Sequence, residues 1–143
     1  MLLAQNSAVY TSIPKSDIKI IVPNGFESTD YYQGFINKKA TASIVLKEVG
    51  GIAHWRFRQS LKEPYFAQQK LVLKSEEVIN TQNIKDGRLY IIGFIVDGVP
   101  HERLMLVTGT DAKTVMLLTN YPTRFKGDLY LNCRKALLSI KGF

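Results

Sequence analysis

Leu89-Tyr90-Ile91-Ile92-Gly93-Phe94-Ile95-Val96 runs straight into Asp97-Gly98, and a second apolar run follows at Leu104-Met105-Leu106-Val107. Asp-Gly between two apolar runs is a favoured type I′ hairpin turn, because its backbone twist matches that of the strands it joins. Residues 89–96 are nearly all apolar, as a strand covered on both faces must be. Gly109-Thr110-Asp111-Ala112-Lys113 then connects residues 104–108 to Val115-Met116-Leu117-Leu118-Thr119 as a second hairpin. Three consecutive antiparallel strands are therefore expected, closed by Asn120-Tyr121-Pro122.

Both flanks of this meander are readable. Downstream, Leu129, Cys133, Ala136, Leu137 and Ile140 recur on one helical face, and Lys126, Arg134, Lys135 and Lys141 lie off it. The spacing predicts a helix over residues 125–140, with Gly142 in the position of a terminator. Upstream, Leu71, Leu73, Val78 and Ile79 frame a further strand, with a bulge expected at Ser75-Glu76-Glu77. Residues 52–62 change to a helical period, carried by Ile52, Trp55 and Leu61 with Arg56, Arg58 and Lys62 between them. Pro64 either breaks that helix or opens a second short one reaching Gln69, so residues 52–69 are helical as a whole.

Toward the N-terminus, β-branched residues dominate Ile18 to Val22, and Pro23-Asn24-Gly25 ends that strand. Residues 40–49 form another, with Ala42, Ile44 and Leu46 on one face. Between the two lie a short strand and turn around Gly34, where Tyr31, Tyr32 and Phe35 serve either as groove lining or as sheet cover. Residues 1–16 are mostly small and polar and read as a flexible lead-in to one domain over residues 17–143. The fold class is α+β, a central antiparallel β-sheet with helices packed on it.

Composition limits the function classes. The chain has 143 residues, 45% of them apolar and 22% charged, which excludes a disordered, collagen-like or coiled-coil chain. No apolar run approaches the roughly 20 residues that a membrane-spanning helix needs. The single cysteine excludes an internal disulfide framework and any zinc site built from several thiolates. Met1-Leu2-Leu3-Ala4-Gln5-Asn6-Ser7 is too short for a signal peptide but resembles the end of one. An extracytoplasmic location, periplasmic or secreted, is expected on that basis, with a plain cytoplasmic N-terminus as the alternative.

Catalytic patterns are missing. His54 and His101 are the only histidines, and no metalloprotease, serine-hydrolase, phosphate-loop or calcium-loop motif occurs. Cys133 falls on the apolar stripe of the last helix, where a thiol behaves as a small hydrophobe. Glu76 and Glu77 are adjacent on a strand and so point to opposite faces. No catalytic residue, cofactor or metal ligand is assigned, and a non-enzymatic role is expected.

Charge is more informative. Nineteen Lys+Arg against 12 Asp+Glu give a net charge of +7. Residues 54–70 contribute +3 and residues 124–143 contribute +4, which leaves the rest balanced. The candidate binding surface is therefore Arg56, Arg58 and Lys62 on the first helical segment with Arg124, Lys126, Arg134 and Lys135 on the second. Such a field steers an acidic protein, nucleic acid or an anionic lipid surface. If the two segments share a face of the sheet they merge into one patch; on opposite faces they form two weaker halves.

The order of elements resembles a known superfamily. A strand ending in Val22-Pro23-Asn24-Gly25-Phe26, the strand Ala42-Ser43-Ile44-Val45, a helix, the strand entered through Gly87-Arg88-Leu89-Tyr90, two hairpins, Tyr121-Pro122 and a final helix ending Leu137-Leu138-Ser139-Ile140 are similar to the PsbP/Mog/DcrB-like proteins. The similarity spans residues 17–141 and implies an α/β/α sandwich. Members include extrinsic photosystem II subunits, Ran-binding nuclear factors and bacterial envelope proteins, described mostly as binding or assembly factors. The resemblance implies a module that engages a protein partner; the alternative is an anion-binding module for nucleic acid or acidic lipid.

Overall fold

The structure, a computed structural model, describes residues 9–143, so the reading of residues 1–7 lies outside it. Seven strands form one antiparallel sheet in the order β3-β4-β5-β9-β8-β7-β6. They are β3 (Glu27–Thr29), β4 (Gly34–Asn37), β5 (Ala42–Gly50), β6 (Val72–Ile79), β7 (Gly87–Val96), β8 (Val99–Gly109) and β9 (Lys113–Pro122). A separate pair, β1 (Thr11–Ser12) and β2 (Lys19–Ile20), is antiparallel too. After β5 the chain crosses one face of the sheet through α1 (His54–Phe57) and α2 (Glu63–Gln68). It enters the far edge at β6 and returns strand by strand until β9 pairs with β5. The last helix, α3 (Lys126–Leu138), covers the other face.

Local chemistry explains the joints. Asp97 and Gly98 have φ of 50° and 78°, as a type I′ turn requires, and Val96 pairs with Val99 across it. The expected bulge in β6 is present, displaced toward Lys74: the register shifts between Leu73 and Ser75, so Lys74 is the extra residue. Of the two alternatives for residues 52–69, the second holds: a short helix opens at Pro64, although the first ends earlier than expected, before Leu61. A 3₁₀ turn at Arg58–Ser60 ends α1, Leu61 turns into the core, and Pro64 sits in the first turn of α2. Leu61 is a core plug that a straight helix would not deliver to the sheet.

Two cores result, one on each face. Leu104, Leu106, Val115, Leu117 and Tyr121 pack under Leu129, Cys133, Ala136 and Leu137 of α3. Tyr90, Ile92, Met105, Val107 and Leu118 pack under Leu61 and Phe66. The part of the lead-in within residues 9–16 departs from the expected flexibility. Thr11–Ser12 pair with Lys19–Ile20, and Ile13 is 1% exposed in the larger core. Burying one isoleucine contributes about 1.5–3 kcal/mol, which holds this segment in place.

Gly142 does not act at the immediate end of α3, where Ser139 is the capping residue. Its φ is +94°, and a Cβ there would lie 2.6 Å from the Asp17 carbonyl oxygen. The glycine allows the C-terminal strap to lie against β2, where Lys19 and Lys141 exchange backbone hydrogen bonds. Gly142→Ala is expected to destabilise the protein by about 1–3 kcal/mol. Gly127→Ala, in α3 with open space around it, is expected to stabilise by about 0.4–1 kcal/mol. Urea unfolding midpoints of the two variants check this opposition of sign.

Candidate functional site

The sheet separates the seven basic residues singled out from the sequence. Arg56, Arg58 and Lys62 belong to the α1–α2 side, and Arg124, Lys126, Arg134 and Lys135 to the α3 side. Several are already paired. Arg134 makes a bidentate contact with Glu77 at 2.8 and 2.7 Å. Arg58 reaches Asp86 at 2.7 Å, and Arg88 joins the same carboxylate. Hydrogen bonds from Arg88 and Arg58 pull the Asp86 carboxyl down to about 2. Arg56 lies over the Trp55 ring and Arg124 over the Phe125 ring. Lys62 and Lys135 stand exposed.

A different group converges at one end of the sheet on the α3 side. Glu102 is fully buried. The Tyr121 hydroxyl donates to its Oε1 at 2.5 Å, and Lys74 and Lys126 donate to its Oε2 at 3.2 and 3.3 Å. Each partner arrives for a structural reason. Tyr121 faces Glu102 across the β8–β9 ladder, and on the other side β7 presents Gly93. With no side chain there, Lys74 lies across Gly93, where an added Cβ would meet its Cε at 2.8 Å. The bulge supplies Lys74, and the first residue of α3 supplies Lys126.

Burial pushes the Glu102 carboxyl up, but the hydrogen bonds from Tyr121, Lys74 and Lys126 prevail and hold it below the usual carboxylate range. Burial, reinforced by Glu102, pushes the Tyr121 hydroxyl far up, so it stays a donor. Two half-exposed ammonium groups thus meet one carboxylate, leaving one positive charge in excess at the surface.

Beside this cluster the sheet runs on past the cover of α3. A groove of about 540 Å³ opens there, with Val72, Gly93, Ile95 and Pro100 on its floor and Lys70, Lys74 and Thr123 around it. Ile95 is 71% and Val72 63% exposed on this floor; Val96 and Val99, also exposed, alternate onto the opposite face. Sequence reading overlooked Glu102, Lys70 and Lys74. A signal for Glu102 existed: residues 102, 104 and 106 alternate onto one buried face, so a carboxylate there is in phase with the core. Nothing local announces that Lys74 would reach it, since the two meet only across β7.

The nucleophile candidates are dispersed. Cys133 is buried under α3, and burial pushes its thiol up. His54 and His101 lie on the opposite side of the sheet, the latter stacked on Phe94 at 5.3 Å. Tyr31 is exposed while Phe35 is core, so the aromatic trio does not line one groove. No group of three or more His, Cys, Asp or Glu among the described residues is placed to hold a metal ion.

Two outcomes follow from this geometry. Glu102→Gln should cost about 1–3 kcal/mol at neutral pH, where the carboxylate's charge-assisted bonds are lost. Because the folded carboxyl titrates below the unfolded value of about 4.3, its contribution is complete above that pH and fades as pH falls through the folded value. The gap between wild type and Glu102→Gln in urea unfolding should therefore narrow below about pH 4. Cys133 should resist alkylation in the folded protein and react at once in denaturant; rapid native labelling would contradict its placement.

Comparison of the sequence with protein-family models and with curated proteins finds no match. Solved structures do match. LpqN of Mycobacterium tuberculosis, involved in cell envelope biogenesis, superposes with a TM-score of 0.64 at 10% identity, over 87% of this chain and 82% of its own. Cyanobacterial PsbP (CyanoP) of Synechocystis gives 0.54 at 14% identity, over 100% of this chain and 98% of its own. A Bacteroides thetaiotaomicron protein gives 0.54 at 15% identity, over 89% of this chain but 45% of that one. Among the described residues no helix is long and apolar enough to cross a membrane. Helices on both faces of an antiparallel sheet, together with these neighbours, identify the fold of this chain as the PsbP-like α/β/α sandwich.

Proposed function

We propose that this chain is a non-enzymatic, extracytoplasmic binding or assembly module that holds a protein partner in the groove beside the β7–β8 hairpin. The partner segment would be apolar with an acidic flank. One observation carries the reading: a solvent-exposed apolar floor is bordered by Lys70 and Lys74, and the one carboxylate that Lys74 meets among the described residues, Glu102, is shared with Lys126. Exposed apolar patches rimmed by polar residues mark interaction surfaces. The floor would bury side chains, and the surplus charge would select and steer an acidic neighbour. LpqN, a fold neighbour, is involved in cell envelope biogenesis, which supports an extracytoplasmic role.

The competing anion-binding reading needs one continuous basic surface. Here the sheet separates the two basic segments, and Arg58, Arg134 and Lys126 are engaged with carboxylates. That favours the groove over the helices.

A photo-crosslinking residue at position 95 should capture a defined protein in the native host, and one at position 135 should not. Ile95→Glu should weaken the recovered complex at least about fivefold while stability stays within about ±0.5 kcal/mol. Lys70→Glu should weaken it chiefly at low salt. Unchanged affinity in Ile95→Glu would overturn the groove. Heparin retention that falls steeply with salt and is lost in Lys62→Glu or Lys135→Glu would favour the anion reading instead.

A further inference from the structure

On the opposite side of the sheet, between the middle strands and α1–α2, lies a more enclosed cavity of about 130 Å³. Phe57, Leu61 and Phe66 wall it from the helical side, and Ile92, Met105 and Leu118 from the sheet. Only two charged residues line it, Arg103 and Lys47, and both are cations. Arg103 is the informative one. Its Nε donates to Asn120 Oδ1 at 2.6 Å, and Asn120 is itself held by the Ser43 hydroxyl at 3.4 Å. Asn120 therefore fixes the orientation of the guanidinium from behind. Its two terminal nitrogens find no hydrogen-bond acceptor and no carboxylate among the described residues. The Phe94 ring lies 5.1 Å away, and the Tyr65 hydroxyl is a further polar neighbour across the cavity. Burial disfavours the charge, yet a guanidinium stays protonated at every physiological pH. An oriented, half-buried cation with its fork unused matches the planar, bidentate geometry of a carboxylate.

Size limits the rest of the ligand. Cavities of about 150 Å³ lined by Leu, Ile and Phe accommodate benzene. We propose that this cavity binds a small apolar carboxylate, of the size of benzoate. The carboxylate would sit on the terminal nitrogens of Arg103, with Lys47 as a second cation near the opening and the hydrocarbon among Leu61, Phe66 and Leu118. The site is independent of the hairpin groove, which lies on the other face of the sheet.

The test uses the whole protein and two probes of nearly equal shape, benzoate and benzamide. Benzoate should raise the melting temperature in a saturable way and shift the Arg103 Nε–Hε resonance together with the Leu118 and Met105 methyl signals. Benzamide, lacking the charge, should bind at least about tenfold more weakly. Arg103→Gln should reduce benzoate affinity by at least about tenfold; should that variant fail to fold, Lys47→Gln, at an exposed position, should reduce it by a smaller factor. Octanoate, too long for the space, should compete poorly. Equal responses to benzoate and benzamide, shifts confined to other parts of the molecule, or no saturable binding by about 10 mM benzoate would each overturn the proposal.

Discussion

Leu106 and Val107 are neighbours on β8 that point in opposite directions, and neither touches water. Leu117 and Leu118 repeat the alternation on β9, both buried but on opposite faces. A strand pair buried on both faces needs a cover on each. The C-terminal segment provides a regular helix for one face. The β5–β6 crossover provides two short helices for the other, and because it must also reach the far edge of the sheet, it cannot be one straight rod. The layering follows from this double burial.

What is local in the sequence is legible, and what depends on distant partners is not. The Asp97-Gly98 turn and the stripe Leu129, Cys133, Ala136, Leu137 and Ile140 can be read because each is a short-range pattern with a single geometric solution. The break at Leu61 is less visible: the helical period continues through it, and only the position of the sheet beneath gives Leu61 a reason to turn inward. Ile13 behaves similarly, since a lone isoleucine among polar residues carries no periodic signal and finds its core place through a strand pair. The basic residues were visible as charges, but which of them are neutralised depends on Glu77, Asp86 and Glu102, far away in sequence.

The Glu102 cluster shows how an irregularity in one strand is matched by an absence in the next. A buried carboxylate is costly unless every lone pair is answered. Gly93 clears a path and the bulge at Lys74 fills it, so neither feature makes sense without the other. The same bulge lies on edge strand β6, where a kink also discourages pairing with another chain. One extra residue thus serves both the interior and the rim.

The strap at the C-terminus has a topological consequence. Lys141 pairs with Lys19, and its ammonium group rests 3.6 Å from the centre of the Tyr10 ring. Residues 10 and 141 therefore meet at one spot, and the described segment between them nearly closes on itself. Joining residues this distant in sequence carries a large loop-closure entropy, so the clasp belongs to the late, non-local events of folding. A linker between residues 10 and 141, with new ends opened at the exposed Asp97-Gly98 turn, would permute the described segment and keep every strand neighbour in the sheet.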